Sequence, residues 1–146
     1  MNFAFCDESM VTISIDNNLQ ELKTLTHQLV EYLHSANINE SIVGDIQLIT
    51  EEIVSNIIKY AYPQKQKQKE SIIVTIKIEH DRIVTTFEDD GKAFNPLINI
   101  DDSDLFLATK KETVGGWGIF LVKELADYIE YTREDSKNIL VIEKNY

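Results

Sequence analysis

Residues 10–15 alternate between apolar and polar side chains, with Val11, Ile13 and Ile15 on one side of the chain. An alternation with a period of two predicts a β-strand that buries one face. Two adjacent segments, 72–79 and 82–88, show the same pattern on either side of a short polar turn, which predicts a β-hairpin. Two further strands are predicted near the end of the chain, at 128–132 and 139–144.

A period close to 3.6 residues replaces this alternation in three segments, and each of them is predicted to be a helix. The first helix covers 19–34, the second covers 41–61, and the third opens on a glycine turn and covers 114–126. In the second helix the apolar residues form one stripe that should face the core: Ile42, Ile46, Ile49, Ile53, Ile57 and Tyr60.

The order of these elements is strand, helix, helix, two strands, a long irregular segment, helix and two strands. This order predicts an α+β fold, in which a mixed but mainly antiparallel sheet packs on three helices as a two-layer α/β sandwich. We expect one domain over residues 1–146, with a core at about 10–144. Long irregular segments in compact domains often cover active sites, so residues 95–114 are predicted to form a lid.

Composition narrows the function classes. The chain has 146 residues, 43% of them hydrophobic, and a net charge of −11. Nucleic-acid-binding surfaces are usually basic, so direct binding of DNA or RNA is not expected. The sequence contains no apolar run of about 18 residues and no secretory signal pattern, so we expect a cytoplasmic protein that does not contact a membrane.

The second helix carries Glu52 and Asn56, which are four residues apart and therefore lie on the same side of the helix. A carboxylate at the edge of a helix can act as a general base. An asparagine oxygen is a suitable ligand for Mg²⁺, which takes its remaining ligands from water and phosphates. The alternative is that the two side chains form a solvated border of the helix.

A second candidate follows the strand 82–88, where Asp89 and Gly91 form an Asp-x-Gly turn and Ala93 comes two residues later. A carboxylate at the end of a strand can accept a hydrogen bond from an amino group such as that of adenine. Gly91 allows a sharp turn or a close approach to a ligand. The alternative is an ordinary Asp-Gly turn without a ligand.

The third candidate opens the last helix, where glycines lie at positions 115, 116 and 118 around Trp117. Backbone N–H groups at a helix N-terminus favour anions, so this turn is predicted to face phosphates. Lys110 and Lys111 precede it and carry positive charge that can reach a terminal phosphate, and the alternative is that they form a solvated pair. Four of the five glycines of the chain lie in these two turns, namely Gly91, Gly115, Gly116 and Gly118.

The ordered set of E-x-x-x-N, D-x-G and G-x-G motifs resembles the ATPase domain shared by gyrase and histidine kinases. The stretches EEIVSNIIKYAYP, DDGKAFNP and GGWGIFLVKELAD are similar to those of the bacterial anti-sigma-factor serine kinases of the RsbW/SpoIIAB type. The resemblance covers about residues 10–144 and implies the histidine kinase-like (Bergerat) ATPase fold.

The resemblance also implies roles for individual residues. Glu52 matches the catalytic base, Asn56 the Mg²⁺ ligand, and Asp89 the carboxylate that binds adenine. Gly91 matches the glycine of the same motif. Gly116 and Gly118 match the glycines that let the lid close over ATP, whereas Gly115, Trp117, Ala93, Lys110 and Lys111 are expected to complete the nucleotide site.

Function and partners follow from the same resemblance. It implies a protein serine kinase that uses ATP and Mg²⁺, phosphorylates an anti-anti-sigma antagonist of the STAS type, and sequesters a sigma factor, with a homodimer possible. Three positions depart from the family pattern. Ala93 replaces a second glycine or proline, residues 138–140 (Asn-Ile-Leu) replace a Gly-Thr, and only Lys110 and Lys111 lie near the position of the lid arginine.

Two other functions compete with the kinase. One is a binding module that switches partners in response to nucleotide without catalysis. The other is a receiver domain phosphorylated on aspartate, because Asp89 and Asp90 follow a strand. Receiver domains need alternating strands and helices with a parallel sheet, and the predicted hairpin of segments 72–79 and 82–88 argues against this reading.

Overall fold

The computed structural model describes residues 9–62, 71–98 and 116–146. Eight elements occur in these ranges. The strands are β1 (Met10–Asp16), β2 (Ser71–Ile78), β3 (Arg82–Asp89), β4 (Tyr128–Glu134) and β5 (Lys137–Asn145), and the helices are α1 (Leu19–Ser35), α2 (Glu40–Tyr60) and α3 (Gly116–Leu125). The predicted α+β fold class with three helices is confirmed. Most predicted boundaries lie within two residues of the observed ones.

The five strands form one sheet in the order β1-β2-β3-β5-β4, and all four pairings between described strands are antiparallel. The hairpin β2–β3 forms as predicted. The last strand inserts between β3 and β4, so that its first residues lie beside the end of β3. In this register Asp89 is the direct partner of Asn138. The sheet therefore brings the predicted Asp-x-Gly turn next to the start of β5.

Side chains of one sheet face pack against the helices and form the core. Alternate residues of each inner strand are buried, such as Val74 in β2, Phe87 in β3 and Leu140 in β5. Both long helices begin at asparagine caps. Asn18 Oδ1 accepts a hydrogen bond from the Gln20 backbone N at 2.9 Å, and Asn39 Oδ1 accepts one from the Ser41 N at 2.8 Å. These caps satisfy N–H groups that a helix start leaves without partners.

The buried face of α2 differs from the predicted stripe. Val43, Thr50 and Val54 are buried as well, whereas Tyr60 remains 46% exposed. The buried face is wider than the stripe because α2 contacts α1 and α3 as well as the sheet. None of the helices in the described ranges is long and apolar enough to cross a membrane.

Candidate functional site

An open cleft lies between α2, the inner face of the sheet and the turn that follows β3. Its walls are mainly apolar, and polar side chains enter it at three places. Asn56 comes from α2, Asp89 from the end of β3, and Asn138 from the start of β5. The apolar lining residues are Ile53, Ile57, Ala61, Phe87, Phe94, Pro96, Ile119 and Leu140, together with the ring of Tyr131.

Asp89 is the most buried carboxylate of this cleft, with 5% of its surface exposed. Its Oδ1 accepts a hydrogen bond from the Gly91 backbone N at 2.9 Å and another from Asn138 Nδ2 at 3.0 Å. Burial raises the pKa of Asp89, and these two hydrogen bonds oppose that rise because they stabilise the charged form. Asp89 is thus a buried hydrogen-bond acceptor in an apolar cleft.

Gly91 lies against the end of α2, which explains why this turn needs a glycine. A Cβ atom at Gly91 would lie 2.5 Å from the carbonyl oxygen of Ala61 and 2.6 Å from its Cβ. The next residue, Lys92, donates its backbone N–H to the same carbonyl at 2.7 Å. Gly91 therefore permits a close approach between the turn and α2.

Asp90 points away from the cleft and binds a different partner. The Tyr62 hydroxyl donates to Asp90 Oδ1 at 2.6 Å and accepts a hydrogen bond from the Asp90 backbone N at 3.2 Å. Burial and the neighbouring carboxylates raise the pKa of Tyr62 well above its usual range, so the phenol stays protonated and continues to donate. Asp90 thus joins the turn to the chain that follows α2.

Glu52 and Asn56 are half-buried on successive turns of α2. Asn56 lines the cleft, and Glu52 lies one turn earlier, where it contacts α3. The contact is with Gly118, because a Cβ atom at Gly118 would overlap Oε2 of Glu52 and lie 3.1 Å from its Cδ. Gly118 is buried, and it brings the start of α3 against the predicted catalytic carboxylate.

The remaining predicted site residues are only partly placed. Ala93 is exposed on the turn after β3 and is not among the lining residues of the cleft. Gly116 and Trp117 begin α3, as predicted, but the surroundings of their side chains are outside the description. Lys110, Lys111 and Gly115 lie outside the described residues, as does most of the predicted lid, so their roles stay predictions.

Sequence reasoning missed three residues of the site. The sequence marks Asn138 only as a departure from the motif of the kinases that the chain resembles, yet Asn138 contacts Asp89 directly. Tyr131 and Arg133 on β4 also reach this region. The Tyr131 hydroxyl donates to Asn138 Oδ1, and Arg133 Nη1 donates to the Gly91 carbonyl at 2.9 Å. A signal was present for Asn138, because it lies at an inward position of the alternation that continues with Leu140 and Ile142.

Metal binding by protein groups alone has little support in the described ranges. These ranges contain no cluster of three or more histidine, cysteine, aspartate or glutamate side chains that could hold an ion. Mg²⁺ bound with nucleotides usually takes one or two ligands from the protein and the rest from phosphates and water, and a single amide oxygen such as that of Asn56 suits that kind of site.

The sequence model of the histidine kinase-like ATPase domain matches residues 15–144. No curated protein sequence matches the chain. Several solved structures share its fold, including two from bacteria. One contains the RsbU and RsbW domains of Rv1364c from Mycobacterium tuberculosis, with 15% identity and a TM-score of 0.66 over 92% of this chain. The match spans 32% of that longer chain.

The second structure is the SiaB–SiaC complex from Pseudomonas aeruginosa, with 16% identity and a TM-score of 0.67. The alignment covers 92% of this chain and 88% of the matched chain. At these identities the likeness shows the fold.

Proposed function

The chain belongs to the histidine kinase-like ATPase domain family, and we propose that it is an ATP- and Mg²⁺-dependent protein serine kinase that also sequesters a regulatory partner. The proposal rests chiefly on one observation. A buried acceptor, Asp89, lies at one end of an apolar cleft, and Asn56 and Glu52 follow on successive turns of one helix.

The cleft fits an adenine base by its chemistry. Apolar and aromatic side chains such as Ile53, Phe87 and Tyr131 offer surfaces for a flat ring. Asp89 would accept a hydrogen bond from the exocyclic amino group of that ring. Such sites are usually apolar with a few placed polar groups. Asn56 would hold Mg²⁺ together with the phosphates, and the ion would neutralise charge on them during transfer.

Glu52 would act as the general base. As the serine oxygen attacks the γ-phosphorus of ATP, its proton passes to the Glu52 carboxylate. The new O–P bond forms while the bond to the β–γ bridging oxygen breaks, which leaves ADP and a phosphoserine. Successive turns of a helix separate the two side chains by about 6 Å, so base and metal ligand can act at opposite sides of one phosphoryl group.

The partners are proposed from family resemblance together with the relatives' names. One matched structure contains an RsbW domain, and the other is a complex of two proteins. We propose an anti-anti-sigma antagonist as the phosphorylated partner and a sigma factor as the sequestered one, in the cytoplasm, with a homodimer as the assembled form. The acidic charge of −11 suits a basic partner surface.

Single-turnover phosphorylation tests the kinase proposal. The purified chain is mixed with Mg²⁺ and ATP labelled at the γ-phosphate, and with extract of its source cells in which endogenous kinases have been inactivated. We expect label on serine in a discrete protein. Glu52→Gln should lower the rate by about 10²–10⁴ and leave ADP affinity within about threefold, since the amide keeps the size but cannot take the proton.

Glu51→Gln is the matched control, because Glu51 is the adjacent carboxylate and its Oε1 accepts a hydrogen bond from Gln47 at 3.1 Å. Transfer that is unchanged in Glu52→Gln would remove Glu52 from the mechanism. Binding of ADP without any transfer by the wild-type chain would favour a nucleotide-dependent partner-switching module without catalysis. Equal ADP affinity with Mg²⁺ and with EDTA would contradict the role of Asn56.

A further inference from the structure

The side-chain amide of Asn138 uses its whole hydrogen-bonding capacity inside the protein. Nδ2 donates to Asp89 Oδ1 at 3.0 Å and to the Lys92 carbonyl at 2.8 Å. Oδ1 accepts from the Phe94 backbone N at 3.3 Å and from the Tyr131 hydroxyl. An amide offers two donor hydrogens and two lone pairs, so all four are used. The orientation of the amide is fixed, because the Lys92 carbonyl can only accept and the Phe94 N–H can only donate.

The two carboxylate oxygens of Asp89 differ in their hydrogen bonds. Oδ1 receives both the Asn138 amide and the Gly91 N–H, whereas no group among the described residues donates to Oδ2. Asp89 is 5% exposed and lines the cleft. One carboxylate oxygen is thus held by the protein, and the other is left for whatever enters the cleft.

The same amide also holds the turn that borders the cleft. Its bonds to Lys92 and Phe94 fix two backbone positions after the Asp-x-Gly motif, and Phe94 is itself a lining residue. Asn138 is 6% exposed, so its hydrogen bonds are made where water does not compete well. A single side chain therefore sets both the carboxylate and the wall of the cleft.

We propose that Asn138 is the positioning residue of the base-binding end of the cleft. It fixes Asp89 so that Oδ2 alone is presented to the exocyclic amino group of the base, and it holds the turn carrying Phe94 in place. Tyr131 supports it by fixing the amide from β4. This inference rests on the proposed function for its ligand, and on the geometry alone for the positioning of Asp89.

The experiment has one readout that needs no nucleotide and one that does. The first is the pKa of Asp89, measured by carboxyl ¹³C NMR in wild type and in Asn138→Leu. The variant keeps the approximate size of the side chain and removes all four hydrogen bonds. Loss of the amide donor should raise the pKa of Asp89 further, while Asp90, Arg133 and Tyr62, the charged or titratable groups that act on it, are unchanged.

The second readout is ADP affinity by calorimetry. Asn138→Leu should weaken ADP binding about tenfold or more, because a loosened acceptor no longer meets the base in one geometry. Asn138→Thr keeps a hydroxyl donor, suits a strand, and should give smaller changes in both readouts. If Asn138→Leu does not fold, Asn138→Thr alone provides both measurements.

A matched pair of tyrosine variants tests the supporting residue. Tyr131→Phe removes the hydroxyl that holds Asn138 Oδ1 and should weaken ADP binding about threefold to tenfold. Tyr128→Phe removes a hydroxyl from an exposed position of the same strand and should change neither readout. Failure of wild type to bind ADP would contradict the proposed function and leave the NMR readout to decide the positioning. An unchanged Asp89 pKa in both Asn138 variants would overturn the inference.

Discussion

Glu52 on α2 and Gly118 on α3 are in contact, and the carboxylate occupies the space that a side chain at position 118 would fill. Gly118→Ala should therefore displace the carboxylate end of Glu52, which is the flexible part of that side chain. Because a small displacement of a catalytic group is costly, we expect phosphoryl transfer to fall by about 10²-fold. The free energy of unfolding should change by less than about 1 kcal/mol, since alanine favours helix.

A double-mutant cycle with Glu52→Gln checks this relationship. If Gly118→Ala acts through Glu52, the double variant should transfer phosphate about as slowly as Glu52→Gln alone. Losses that simply multiply would show that Gly118 acts independently of the carboxylate.

Gly91→Ala should destabilise the protein. The new Cβ would meet the backbone of Ala61, which cannot rotate away as a side chain can. We expect a loss of about 1–3 kcal/mol in the free energy of unfolding, as for other overpacked sites.

Gly44→Ala is the control, because Gly44 lies within α2 and nothing lies within 4 Å of the added atom. That variant should gain about 0.5–1 kcal/mol. Urea denaturation measures both, and equal midpoints for Gly91→Ala and wild type would refute the close approach.

The substitutions Asp89→Asn and Asp90→Asn should distinguish the roles of the two carboxylates of the turn. Asp89→Asn removes the charged acceptor of the cleft and should weaken ADP binding about tenfold to a hundredfold. An asparagine at position 90 can still accept from the Tyr62 hydroxyl, so affinity should stay within about threefold of wild type. Calorimetry measures the ADP affinity of both variants. A larger loss of affinity in Asp90→Asn than in Asp89→Asn would mean that Asp90, and not Asp89, accepts the hydrogen bond from the base.

The raised pKa of Asp89 predicts the sign of a pH effect on stability. The folded state holds the Asp89 proton to a higher pH than the unfolded state, whose ordinary value is about 3.9. Between these two values the folded state binds more protons, so the free energy of unfolding falls as pH rises, and the loss is complete above the folded pKa. Asp89→Asn lacks this effect.

Paired unfolding measurements isolate that contribution. The stability of Asp89→Asn relative to wild type should increase from pH 4 upward and level off above the folded pKa of Asp89. Other titrating groups cancel in the difference. A relative stability that decreases over this range would mean that hydrogen bonds to the charged carboxylate outweigh its burial.

The sequence predicts the local features of this protein better than the contacts between residues that are far apart along the chain. Asp89 and Asn56 line the same cleft, and the signals that single them out are local, a strand end and a helix spacing. The width of the buried face of α2 was underestimated, since Val54 and Thr50 are buried by contacts that periodicity alone does not show. Asn138 was missed because its importance depends on a register between residues 49 positions apart. Gly118 was predicted to face phosphate, and its contact with Glu52 required the packing of α3.

The strand order also determines when the site can form during folding. The hairpins β2–β3 and β4–β5 pair neighbours along the chain, but Asp89 belongs to the first and Asn138 to the second. Only the pairing of β3 with β5 unites them, and it closes a much longer loop than either hairpin does. Long-range pairings form slowly because loop closure lowers chain entropy before any contact compensates. We therefore expect a partly folded chain with both hairpins to lack the contact between Asp89 and Asn138 and the end of the cleft that these residues line.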